Sequence, residues 1–175
     1  MRFLFNKQWL FPTLFFLSIS SLLVFSWFRY GFIYGGGDVG LPSYNPQRIL
    51  EIVRYIWWEA AAPGTTVPHG LTSVPLQFVQ SFLQSMNFPY VTIQASLFFF
   101  LLFFMGLGMY FLAVSILGYE QKIYAYLAAL FYIFNPYKMI QVWHRFIHNT
   151  FFLAAALPFF FLFFRSWIQT GKYSS

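Results

Sequence analysis

The sequence predicts an all-α, polytopic helical membrane protein, and three observations carry that prediction. Of 175 residues, 59% are hydrophobic and 26% aromatic, while only 8% are charged. A soluble domain carries roughly a quarter charged residues, which it needs to cover its surface. The apolar residues are also gathered into long runs, and the two longest have about the 20 residues required to cross a hydrocarbon core. The charges and turn formers fall mostly between these runs.

Cysteine is absent, which excludes a disulfide framework, thiolate metal sites and a cysteine nucleophile. Ten basic residues stand against four acidic ones, for a net charge of +6. None of the Lys/Arg runs is long enough for a nucleic-acid patch, so nucleic acid is not an expected partner. In a chain this apolar the excess charge reflects contact with lipid headgroups and membrane topology.

About four membrane helices are expected, spanning approximately residues 9–29, 91–117, 123–137 and 150–165. The first, "WLFPTLFFLSISSLLVFSWF", follows Arg2 and Lys7 and ends at Trp27-Phe28-Arg29-Tyr30. Its length and its interfacial end favour a retained signal anchor over a cleaved signal peptide, whose apolar core is about 7–15 residues. Pro12 is expected in its first turn, where a missing N–H is harmless. The second run, Val91 to Leu117, carries no charge, and Gly106 and Gly108 permit close helix approach. The short polar segment "GYEQK" at 118–122 predicts a helical hairpin. The third run, "IYAYLAALFYIF", meets Asn135-Pro136, where the residue before proline is driven out of helical geometry. It is short for a full crossing, so it is tilted, extended past a kink, or embedded without crossing. The fourth, "TFFLAAALPFFFLFF", contains Pro158, a predicted kink.

Basic residues near the helix ends divide five against five, so the total does not decide orientation. The first helix does: Arg2, Lys7 and the terminal amine precede it, and only Arg29 closely follows. The N-terminus is therefore expected in the cytoplasm, with 30–90 and 135–149 on the extracytoplasmic side of the plasma membrane.

The loop over residues 30–90 is patterned. Asn45 suits a helix cap and Pro46 a first helical position. Ile49, Ile52, Val53, Ile56 and Trp57 then fall on one stripe. This predicts an amphipathic helix over 46–60, lying in the membrane interface with Trp57 and Trp58 at headgroup level, or else packed on the protein. Glu51 and Arg54, three apart, are placed to pair. Pro63-Gly64 ends the segment. Val74, Phe78, Val79, Phe82, Leu83 and Met86 predict a second helix over about 75–86, with Gln77, Gln80 and Gln84 on other faces.

Two constellations can carry chemistry. Asp38 sits in "GGGDVG", where glycines allow close backbone approach to a ligand. A carboxylate there can act as a general base or hold a divalent cation; equally it can be a solvated turn acid. The stretch lacks the Lys-Ser/Thr of a phosphate-binding loop. The second constellation is Lys138, His144, Arg145 and His148. His144 and His148 share a face if helical, but the residues between them, Arg-Phe-Ile, are not those of a zinc protease. The cluster suits a lipid phosphate or pyrophosphate, with Arg145 the best bidentate donor, or it is ordinary interfacial charge.

The order of these features is a first helix, a large loop with an early Gly-Asp, a juxtamembrane amphipathic helix, a helical hairpin and an Asn-Pro break. Together with "YLAALFYIFNPYKM" and "NTFFLAAALPFFFLFF", it resembles the N-terminal part of the polytopic C-superfamily glycosyltransferases, closest to the arabinofuranosyltransferase-like proteins. The resemblance implies a cell-envelope transferase that moves a sugar from a polyprenyl-phosphate donor to an extracytoplasmic acceptor. Asp38 then matches the acid of the first outer loop, as catalytic base or metal-associated acid. Because that superfamily has many more membrane helices, the chain is expected to be a fragment or reduced relative, completed by a C-terminal region or a partner subunit. The alternative is a non-catalytic membrane scaffold or transporter-subunit module. The long runs 9–28 and 91–117 hold no ionisable group of the kind that marks proton paths.

Overall fold

A computed structural model describes residues 7–34, 45–53, 57–58, 65–66, 74–138, 140 and 148–170. Its elements are α1 (Lys7–Phe28), α2 (Pro46–Val53), a two-residue pair of strands β1 (Trp57–Trp58) and β2 (Thr65–Thr66), α3 (Val74–Ser85), α4 (Tyr90–Leu117), a 3-10 turn (Tyr119–Gln121), α5 (Lys122–Phe134), the single turn α6 (Pro136–Lys138) and α7 (His148–Thr170). Three of these are long and apolar enough to cross a membrane: α1 from Trp9, α4, and α7 over Thr150–Gln169. The chain is therefore helical and membrane-embedded.

Helix α4 is the axis of the bundle, and α1, α5 and α7 all pack on it. Lipid supplies no hydrophobic drive between helices, so close approach and dispersion hold them. At Gly106, a Cβ would lie 2.4 Å from Phe16 Cδ1 and 2.9 Å from Ile133 Cδ1. The missing side chain is what lets α1 and α5 converge on α4 at one level. Gly108 does the same for Phe159 of α7, with a would-be Cβ 2.6 Å from its ring. Ala125 and Ala129, both fully buried, form the corresponding smooth stripe on α5. The remaining space is filled by rings: Tyr126 contacts Phe11, Phe15, Phe16 and Tyr110, the last at 4.6 Å between centroids.

The ring pairs fix the helix directions. Trp9 meets Phe111 and Phe28 meets Phe98, so α1 runs antiparallel to α4. Phe98 meets Phe151 and Phe104 meets Phe159, so α7 runs parallel to α4. The bundle thus has a loop end, where 29–89 connect α1 to α4, and a hinge end at Gly118–Gln121. The hinge is where the predicted hairpin turns, with Gly118 at φ 89°.

Several sequence expectations are corrected. The single interfacial helix over 46–60 is not formed. Helix α2 is described only to Val53, and Trp57 and Trp58 are extended, pairing antiparallel with Thr66 and Thr65. Aromatic and β-branched residues favour a pleated pairing over a helix, and Pro63-Gly64 lies between the two strands. Helix α2 packs closely on α3. Glu51 pairs with Arg48, at 3.4 Å, on an exposed surface; Arg54 lies outside the described residues. Pro12 is not in the first turn, because α1 already begins at Lys7. Helix α7 runs through Pro158 to Thr170, beyond the predicted end at 165.

The third apolar run gives α5, whose 13 residues rise only about 20 Å, against ~30 Å for a hydrocarbon core. Its last turn is level with the middle of the bundle. Ile133 abuts the site of Gly106, as does Phe16, and Phe159 adjoins neighbouring Gly108. Helix α5 therefore climbs from the hinge end and stops halfway, at Asn135, which is extended with ψ 150°. Beyond Asn135 the chain resumes helical geometry for the single turn α6.

Candidate functional site

Asp38 lies outside the described residues, as do His144 and Arg145; of Lys138 and His148 the helical backbone is described. What the structure defines is where the segments bearing these residues leave the bundle.

The segment carrying Asp38 departs from Tyr34, which is pinned to α4. The Tyr34 amide donates to Gln94 Oε1 at 2.7 Å, and Gln94 Nε2 donates to the Tyr34 carbonyl. A side-chain amide thus pairs with the backbone N–H and C=O of one residue much as one strand pairs with another. Gln94 is buried, so this polar side chain is matched on both its ends as burial requires. The Tyr34 hydroxyl donates back to the Trp27 carbonyl in the last turn of α1, satisfying one of that helix's orphan acceptors. Asp38 is four residues beyond this anchor in the sequence.

The basic segment is bracketed by α6 and α7. Its near end is Asn135, where α5 stops at mid-depth and the Asn135 amide donates to the Tyr132 carbonyl at 2.9 Å. Its far end is His148, the first residue of α7. Three residues into α7, Phe151 packs on Phe98 at 5.4 Å; Phe98 packs on Phe28, and Phe28 on Tyr34 at 5.1 Å. The start of α7 and the anchor of the Asp38 segment therefore lie at the same end of the bundle, joined by four consecutive rings.

The loop end has a second polar junction. Gln84 of α3 accepts from the Gln47 amide at 2.9 Å and donates to Asn45 Oδ1 and to the Tyr90 hydroxyl. Asn45 Oδ1 also accepts from the Arg48 amide, the N-cap bond expected of it. One glutamine thus ties the start of α2 to α3 and to the start of α4. An open groove of about 500 Å³ lies beside it, lined by Gln47, Gln84 and the turn from Asn87 to Tyr90. Among the described residues no group of three His, Asp or Glu side chains could hold a metal ion.

Some polar contacts were not legible in the sequence. Pro158 has no N–H to give the carbonyl four residues back, that of Ala154. The Tyr132 hydroxyl of α5 supplies the missing donor at 2.9 Å. Gln94 was signalled only as a lone amide in an apolar run. No protein-family model, curated protein or solved structure matches the chain.

Proposed function

We propose that this chain is part of a membrane glycosyltransferase that uses a polyprenyl-phosphate-linked sugar. In this reading Asp38 takes the proton of the acceptor hydroxyl as its oxygen attacks the anomeric carbon. Polyprenyl phosphate departs, its negative charge met by Lys138, His144, Arg145 and His148. The observation that supports the reading is the common point of departure: the Asp38 segment and the His148 end of the basic segment leave the bundle at one end, a short chain of rings apart. The half-depth stop of α5 adds that the basic segment begins within the membrane region, where a lipid-borne phosphate can be reached.

The test is sugar transfer from a polyprenyl-phosphate donor by the reconstituted protein in its native length. Asp38→Asn should lower turnover by about 10²–10⁴-fold, the usual worth of a general base, and leave polyprenyl-phosphate binding intact. Arg145→Gln should weaken that binding. Since the chain has no cysteine, an Asp38→Cys/Arg145→Cys pair can be probed with a short thiol cross-linker. Parental transfer by both variants, or a pair that no short linker bridges, would remove the reading.

A non-catalytic scaffold is the second reading, favoured by the loop end being knitted as structure through Gln84. It expects no transfer and no phosphate binding.

A further inference from the structure

Helix α3 is amphipathic in the inverted sense. Of its polar stripe, Gln77 and Gln80 are buried beside Leu76, and the half-buried Gln84 makes the bonds to α2 and Tyr90. Its apolar stripe faces out, with Phe78 62%, Phe82 58% and Met86 56% exposed, and Val79 beside them. Against water this arrangement is unfavourable on both faces, since it leaves aromatic surface hydrated and takes amides out of solvent. A water-facing helix has the opposite polarity.

The surroundings of α3 specify what covers the apolar stripe. The helix ends in a Schellman motif: the Phe88 amide bonds to the Leu83 carbonyl and the Asn87 amide to that of Gln84, with Asn87 at φ 63°. Pro89 then starts α4 directly, its φ of −59° and ψ of 142° setting an extended N-cap. The C-terminal end of α3 is thus held at the level where a membrane span begins. Its exposed stripe continues through Phe88 and Tyr90, both exposed, onto the lipid-facing side of α4. Aromatic residues at this level are the usual interfacial anchors.

We infer that α3 is an interfacial helix: its Phe78–Phe82–Met86 face is seated in the headgroup–acyl boundary of the leaflet at the loop end, with lipid as the partner. Helix α2, for which the sequence suggested that role, is carried on its inner, polar side.

The absence of cysteine allows a direct test. Single variants Phe78→Cys and Phe82→Cys carry a nitroxide label in vesicles of phosphatidylethanolamine and phosphatidylglycerol, and collision with oxygen is compared with collision with a water-soluble nickel chelate. Glu51→Cys, on exposed α2, is the aqueous reference, and Leu22→Cys, on exposed α1, the hydrocarbon reference. The oxygen-to-nickel ratio at 78 and 82 should be several-fold above that at 51 and approach that at 22. A ratio equal to that at 51 would place the face in water. Low accessibility to both reagents would place it against protein. Either result overturns the inference, and circular dichroism of each labelled variant establishes that it has folded.

Discussion

The bond from Tyr132 to Ala154 gives the most exacting test of the bundle. Pro158 leaves the Ala154 carbonyl without its helical donor, and Ala154 is only 8% exposed. Tyr132→Phe removes the hydroxyl at 2.9 Å and nothing else. A buried acceptor left without a partner costs about 1–3 kcal/mol. Hydrogen bonds between membrane helices average about 0.6 and reach about 1.7 kcal/mol. A carbonyl that has lost its regular helical donor belongs at the upper end, so about 1.5 kcal/mol is expected. Pro158→Ala restores an N–H that can take the Ala154 carbonyl within the helix. In that background Tyr132→Phe should cost only a few tenths of a kcal/mol, giving a coupling of about 1 kcal/mol between two residues on different helices. Any packing defect from losing the proline ring enters both arms and cancels. The assay is reversible unfolding in mixed micelles titrated with dodecyl sulfate, followed by tryptophan fluorescence. An additive cycle would refute the reasoning, because the hydroxyl would then not be substituting for the missing amide.

Four other outcomes follow from the same structure. Gly106→Ala drives a methyl into the Phe16 ring from 2.4 Å and should destabilise by about 1–3 kcal/mol; the Phe16→Leu background should relieve it in the same assay. Gln94→Leu removes both contacts to the Tyr34 backbone, at roughly 1–3 kcal/mol, and should show as faster hydrogen exchange at the Tyr34 amide. Asn87→Gly should be neutral or slightly stabilising, whereas Asn87→Val should lower the unfolding midpoint, because φ 63° strains a β-branched residue. Asn135→Cys should react with a membrane-impermeant maleimide added at the loop end, since the carbonyls ending α5 at mid-depth need water or protein donors; Leu127→Cys, exposed on the same helix and farther from that end, should not react.

The membrane class and the three long spans were legible because hydrophobic length is set by bilayer thickness and needs no tertiary information. The stop at Asn135-Pro136 was legible for the same local reason: proline forbids helical geometry before it. Its depth was not, because that is set by where Gly106 lets α5 meet α4. The helix over 46–60 was misjudged in extent. Periodicity cannot tell a helix that continues to Trp58 from one that yields to a pairing with Thr65 and Thr66, seven to nine residues away. The side that α3 turns inward was also hidden, since an amphipathic pattern gives a polar and an apolar face but not which of them meets lipid. As for the site, the sequence supplied Asp38 and the basic cluster as separate candidates. Their common end of the bundle came only from the rings of Tyr34, Phe28, Phe98 and Phe151, an association between residues far apart in the chain.

The half-height of α5 changes how the membrane crossings are counted. Three spanning helices suggest an odd number of passages, and hence opposite sides for Lys7 and Thr170. The bundle has both at the hinge end, because α4 and α7 descend in the same direction. Between them α5 climbs back from the hinge end only to mid-depth. Reporter fusions before Lys7, within Gly118–Gln121 and after Thr170 should all fall on one side of the membrane. A count of the spanning helices therefore does not by itself give the sides on which Lys7 and Thr170 lie.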